Sequence, residues 1–324
     1  MAFWDLTQED FLRRSNIMCV IGLDTSNYTT SIAYFDGSVA RNCSKLLPVK
    51  DGALGLRQSD AVFHHTQSLP ELSGRLFSDI AVNDLRCVGV STRPRAVEGS
   101  YMPCFTVGYS HAAMLASAFS VPLFTCSHQQ GHIAASLWSA GRMDLMDQPH
   151  LAWHLSGGTT ELLLVEPKGK NVHCTKIGGT TDISAGQLID RTGQMLQLPF
   201  PSGKHLDALS KSATGKDKFS VKCPETYFSL SGMENKAQQF FDSHNDPAET
   251  AAFVLRSIAA VVCKTTENAW KLYEKLPVVF AGGVASNSLL RERAEYLDPI
   301  FAAPEYSTDN ALGVAILAYR NLEE

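Results

Sequence analysis

Two stretches of this chain, Ile17 to Phe35 and Leu151 to Val165, are built on the same plan, and that repetition limits the folds open to it. In the first, an apolar run from Ile17 to Leu23 enters a polar tip, Asp24-Thr25-Ser26-Asn27-Tyr28-Thr29-Thr30, and returns as Ser31 to Phe35 before an Asp36-Gly37 turn. In the second, Leu151 to Leu155 enters Ser156-Gly157-Gly158-Thr159-Thr160 and returns as Glu161 to Val165. Each reads as strand, small polar tip and strand, half a chain apart, for which an internal duplication is the economical explanation. Tips of glycine and hydroxyl residues let backbone N–H groups approach phosphate oxygens. The plainer alternative is that each is only a β-turn.

A third stretch joins them. Pro277 to Ala281 reads as a strand, Gly282-Gly283 as a tight turn, and Ser286 or Asn287 as the N-cap of a helix from Ser288 to Tyr296. Strand, double glycine and helix start together make a surface that a nucleotide can approach closely. Elsewhere the pattern predicts helices over Thr7–Arg14, His64–Phe77, Phe105–Phe119, Ile183–Leu196, Asp246–Tyr273 and Ala311–Leu322, and strands at Cys87–Ser91 and Pro122–Thr125. Such alternation predicts α/β layers. With 324 residues the chain is long enough for two cores, and we expect an N-terminal domain over 1–147 and a C-terminal one over 148–324, the last helix packing back on the first.

Composition narrows the function classes. No apolar run approaches a membrane span, and the first residues are acidic with no basic leader, so the expectation is a cytoplasmic protein with no membrane partner. Eight scattered cysteines without a C-x-x-C pair read as reduced core thiols. A net charge of -5 gives no global attraction to nucleic acid, so RNA binding requires a local basic patch or a partner.

His128 and His132 lie four apart in Ser127-His128-Gln129-Gln130-Gly131-His132, and on a helix both imidazoles converge on one ion. The spacing matches the zinc-protease motif, but Gln129 stands where that motif has its glutamate, and an amide cannot be the general base. Proteolysis is therefore disfavoured. Two ordinary histidines at the edge of a core remain the alternative reading.

The order of short motifs along the chain resembles the TsaD family, which makes threonylcarbamoyladenosine in tRNA. The matching stretches are Gly22 to Ser26, His128 to His132, Leu155 to Gly158, Ala185-Gly186 through Asp190, Pro201 to Gly203, Phe228 to Gly232, Ala281 to Val284 with Asn287, and Ser307 to Asn310. The resemblance implies a duplicated actin-like fold, shared with sugar kinases and Hsp70, with two domains around a nucleotide cleft. It implies that Asp309 joins His128 and His132 on one divalent metal, Fe2+ ahead of Zn2+, although an N-cap of the last helix is an equally ordinary job for Asp309. His154, Leu155, Ser156, Gly157, Gly158, Asp190, Gly203, Gly282, Gly283 and Asn287 would hold the adenylate, threonylcarbamoyl-AMP, or ATP. The implied reaction moves the threonylcarbamoyl group to N6 of the adenosine beside the anticodon, with no side-chain nucleophile. Implied partners are tRNA, a TsaB-like homologous subunit and a TsaE-like ATPase.

Departures mark a divergent member. The family's acids after Asp24-Thr25-Ser26 are replaced by Asn27-Tyr28-Thr29-Thr30, its glycine-proline-glycine turn by Arg93-Pro94-Arg95, a histidine by Thr159, and a lysine by Glu234. They leave open a related carbamoyltransferase with another acceptor, or a noncatalytic nucleotide-binding scaffold paired with a true family member.

Overall fold

The computed structural model describes residues 18–48, 56–80, 82, 84–306 and 311–322. The expected helix over Thr7–Arg14 and the motif Ser307 to Asn310, Asp309 included, lie outside them. The chain divides into two compact units, one formed by 1–135, 168–173 and 309–324, the other by 136–167 and 174–308.

In the first unit, strands β1 (Cys19–Thr25), β2 (Thr29–Phe35), β3 (Ala40–Leu46), β4 (Leu85–Ser91) and β5 (Leu123–Cys126) form a sheet in the order β3-β2-β1-β4-β5. β1 is antiparallel to β2 and parallel to β4. All seven residues of β1 are buried, which explains its unbroken apolar run: a central strand covered on both faces has no need to alternate. Ile21, Leu23, Val88 and Val90 pack with Leu69 and Leu72 of helix α1 (Gln58–Asp79) and Val107 and Ala112 of α2 (Phe105–Phe119). On the opposite face, the last helix lies over Gly22 and Gly89. That helix, here α9 (Leu312–Arg320), has its first seven residues buried. Its start also meets the histidine helix α3 (His128–Ser139), where a Cβ on Gly313 would fall 1.8 Å from the Gly131 carbonyl oxygen, so only glycine permits the approach.

The second unit repeats the arrangement. Its sheet holds β6 (His150–Leu155), β7 (Thr160–Lys168), β8 (Asn171–Thr180), β9 (Tyr227–Phe228), β10 (Val278–Ala281) and β11 (Pro299–Phe301) in the order β11-β10-β6-β7-β8-β9. β6 is antiparallel to β7 and parallel to β10, as β1 is to β2 and β4. The core gathers Trp153 and Phe280 from the sheet with α4 (Ala185–Met195), α5 (Gly203–Ser210), α6 (Ser231–His244) and α7 (Pro247–Trp270). The buried Trp153 indole N–H donates to Thr266 Oγ1 at 2.9 Å, so that ring adds apolar area without an orphaned donor. α7 starts where the sequence says: the Asp246 carboxylate accepts from Ala248 N and Glu249 N, with Pro247 in the first turn.

Several boundaries shift. The first tip is shorter than the sequence suggests, since β1 runs through Thr25 and β2 resumes at Thr29. α1 starts at Gln58 rather than His64, and the helix after Asn287, α8 (Ser288–Ala294), gives way to a 3-10 turn, Glu295–Leu297. Among the described residues, no helix is long and apolar enough to cross a membrane.

Candidate metal centre and nucleotide loops

The start of α3 is fixed before any ligand is considered. Ser127 Oγ accepts from Gln130 N at 3.3 Å and Gln130 Oε1 accepts from Ser127 N at 2.9 Å, the reciprocal pair of a capping box. His128 N donates to Arg93 O at 2.9 Å and Gln129 N to Pro94 O at 3.0 Å, so the Arg93-Pro94-Arg95 turn serves the helix through its backbone carbonyls.

On that anchored turn His128 Nε2 and His132 Nε2 stand 2.9 Å apart, with ring planes at 80°. His128 Nδ1 faces Asp24 Oδ2 at 2.8 Å, and Asp24 Oδ1 accepts from Ser26 N at 3.0 Å. Asp24 is buried at 1% exposure near the end of β1. A carboxylate on Nδ1 fixes the tautomer that leaves Nε2 with its lone pair outward, which is the usual support of a metal-binding histidine. The donor set therefore fits a divalent ion at the two Nε2 atoms. Among the described residues no cluster of three or more His, Cys, Asp or Glu side chains is placed to hold a metal. The third expected ligand, Asp309, lies outside them.

The expected nucleotide residues form a ring of contacts within the second unit. His154 and Leu155 end β6, and Ser156, Gly157 and Gly158 make the tip before β7. Ser184, N-cap of α4, donates through Oγ to Gly157 O at 2.6 Å, and Gly186 in the first turn is seated against Gly157. Further along α4, Asp190 accepts from Ser202 N at 2.8 Å, immediately before Gly203 opens α5. Burial raises the Asp190 pKa and the Ser202 N–H partly offsets it. From α5, Asp207 Oδ1 accepts from Asn287 Nδ2 at 2.7 Å and from Ser288 N and Oγ at 2.8 Å. Asn287 Oδ1 in turn caps α8 through Leu290 N at 3.0 Å.

The ring closes at Gly282, whose φ is +96° and where a Cβ would lie 2.2 Å from Leu155 O. Nothing lies within 4 Å of a Cβ placed on Gly157, Gly158, Gly203 or Gly283, so four backbone positions offer open space to a ligand. A cradle of bare backbone and helix starts suits the phosphates of a nucleotide.

Two contributors were not expected in these roles. Asp24 falls within a matched motif, but its partner His128 is 104 residues away, and no local pattern announces the pair. Asp207 carries no motif at all. By contrast the Ser127–Gln130 capping box is legible as S-x-x-Q. Glu234, at the position where the resemblance expects a lysine, pairs with Arg191 at 2.7 Å on the surface.

A family model described as TsaD, tRNA N6-adenosine threonylcarbamoyltransferase, matches residues 55–316. A protein of Thermosipho africanus with that name is 30% identical over 322 residues, covering 94% of this chain and 94% of the relative. Among solved structures, full-length HypF in its phosphate- and nucleotide-bound form superposes with a TM-score of 0.62 at 14% identity, over 95% of this chain and 47% of that one. ROK hexokinase from Thermus thermophilus gives 0.54 at 16% identity, over 94% of this chain and 99% of the other. At such identities the structural likeness speaks for the fold alone, the duplicated actin-like architecture that both sheets display.

Proposed function

The chain belongs to the TsaD family of tRNA N6-adenosine threonylcarbamoyltransferases, and on that premise we propose that it transfers threonylcarbamoyl from threonylcarbamoyl-AMP to tRNA. The acceptor is N6 of the adenosine beside the anticodon. Its amine forms a bond to the carbamoyl carbon, the carbon–oxygen bond to AMP breaks, and an N6 proton is released to solvent or to the leaving phosphate.

The observation that carries this reading is the meeting of His128 Nε2 and His132 Nε2 at 2.9 Å with the buried Asp24 behind His128. His128 and His132 would hold a divalent metal, with Asp309 as the third ligand. Support for Asp309 is its place in the chain: Gly313, four residues on, is packed against Gly131, next to His132, and four residues reach no more than about 14 Å. The preference for iron over zinc rests on the family resemblance. When bound, the ion supplies Lewis-acid polarisation and a template for the transferred group.

The chain's own contribution is to hold the adenylate still. The open backbone at Gly157, Gly158, Gly203 and Gly283 would receive its phosphate and ribose, while Asp190 and Asn287, each engaged in the ring, would set its edges. Holding the reacting groups in register contributes more than any single side chain where no nucleophile is used. A homologous TsaB-like subunit and a TsaE-like ATPase would complete the assembly.

The test is transfer itself. Metal-loaded protein, threonylcarbamoyl-AMP, unmodified tRNA and the candidate subunits are combined, and the digested nucleosides are read by mass spectrometry. Threonylcarbamoyladenosine is expected, and it should vanish with His128→Ala, Asp309→Ala or a chelator. Its absence under conditions where another family member yields it would overturn the reading.

A further inference from the structure

With 33 acidic against 28 basic side chains, the molecule as a whole repels a polyanion, so an RNA acceptor must be met by cations gathered in one place. The second unit holds such a place. Between α5 and α6 the chain runs extended through Lys218-Phe219-Ser220-Val221-Lys222-Cys223 and alternates: Phe219, Val221 and Cys223 turn onto the core, while Lys218, Ser220 and Lys222 are exposed. The strap is pinned at both ends. Phe219 N donates to Ser257 Oγ at 2.8 Å, and Asn268 Nδ2 donates to Cys223 O at 3.1 Å and Glu225 O at 2.6 Å.

The strap borders a groove of about 330 Å³ that also takes in Lys264 from α7 and Arg293 from α8. One carboxylate, Glu267, lines it, already engaged by Tyr296 Oη at 2.6 Å and by Lys264 Nζ at 3.6 Å. The Arg293 guanidinium lies 5.8 Å from the centre of the Tyr296 ring, which is 53% exposed. Lys236 Nζ stands 5.9 Å over the Phe219 ring on the strap. Among the residues lining the groove, the cations Lys218, Lys264 and Arg293 outnumber the one acid, Glu267, opposite in sign to the whole chain. Lys218 and Lys222 are about 13 Å apart along the extended backbone. The charges are thus strung out in a row, which suits a polymer of phosphates better than a single anion.

We propose that this strap and groove grip the phosphodiester backbone of the tRNA, with Tyr296 placed to stack an unpaired base. The inference rests on tRNA being the acceptor. Its test is binding of unmodified tRNA to the full chain across a salt series. Lys218→Glu combined with Lys222→Glu is expected to weaken binding at least tenfold and to flatten the slope of log affinity against log salt by about 1.5. Lys168→Glu combined with Lys170→Glu, which changes net charge equally at another exposed place, should leave most of both; thermal melting checks that each variant folds. Equal losses in the two variants would overturn the strap assignment. So would transfer by the strap variant with an unchanged KM for tRNA, and in that case the acceptor reading stands. A wild-type chain that neither binds tRNA nor modifies it sinks that reading and the inference together.

Discussion

The two hairpins are the same device put to different uses. Both central strands end in a pair with threonine, Thr25 with Thr30 and Leu155 with Thr160, and both tips contain four residues between those pairs. The tips read Ser26-Asn27-Tyr28-Thr29 and Ser156-Gly157-Gly158-Thr159, so their ends agree and only the middle differs. In the first, Asn27 accepts from Gln58 Nε2 at 2.5 Å and Tyr28 adds an exposed ring. In the second, two glycines leave the backbone bare. One step back in the strand, the pair Asp24–Ser31 corresponds to His154–Glu161. A duplicated frame thus offers side-chain chemistry from one copy and backbone from the other, with the change confined to a few positions.

The largest expected difference between the copies is their response to acid. Thr30 Oγ1 pairs with His65 Nδ1 at 2.7 Å, whereas Thr160 Oγ1 accepts from the Ala185 backbone at 2.8 Å. Burial pushes the His65 pKa from 6.5 down to about 4. Between those values the unfolded chain takes up a proton that the folded chain refuses, so the contribution of neutral His65 to stability is fully present above pH 6.5 and about 3 kcal/mol of it is lost as the pH falls to 4. The second unit holds its own buried histidine with a lowered pKa, His150 on β6, so both units weaken in acid; with the larger shift at His65, hydrogen exchange should show β2 opening before β7 on acidification, and His65→Gln should narrow that difference. Simultaneous opening in the wild type would deny the difference.

Next in size is Asp24→Asn, expected to weaken divalent-metal binding at the proposed site about 10- to 100-fold by loosening the tautomer of His128. His154→Ala, at the equivalent register position, should change it by no more than about twofold. Equal losses in a metal titration would mean that the two strand ends are not specialised as described. Converting the second tip into the first, Gly157→Asn with Gly158→Tyr, should cost about tenfold in nucleotide affinity by calorimetry. The melting temperature should hardly move, because the added Cβ atoms meet nothing. Smallest is Arg191→Ala. It breaks a pair whose partners are 45% and 50% exposed, and its cost should stay below about 1 kcal/mol in a denaturant titration.

What could be read in advance follows from where the information lies. β1, β6 and α7 were legible because burial on both faces writes an unbroken apolar signature, and the Asp246-Pro247 cap marks its helix locally. β3 and β8 were not anticipated: Ala-Arg-Asn-Cys-Ser-Lys-Leu and the polar stretch after Asn171 lack the apolar content of a central strand, and β3 earns its place by pairing at the sheet edge. The histidine pair and the glycine tips could be named from spacing. The carboxylate that orients His128 and the one that ties Asn287 to α5 could not, because tertiary folding alone brings them across 104 and 80 residues.

The first unit is discontinuous in the chain, and this has a consequence for its birth on the ribosome. Helix α9, which covers Gly22 and Gly89, is made only after residues 136–308 have been added. At about 5–20 residues per second that is an interval of roughly 9–35 s. For its duration β1 and β4 lack their cover on one face and the histidine helix lacks its Gly313 neighbour. The second unit, whose main segment is complete by Thr308, can close first, so the unit that carries the histidine pair matures after it.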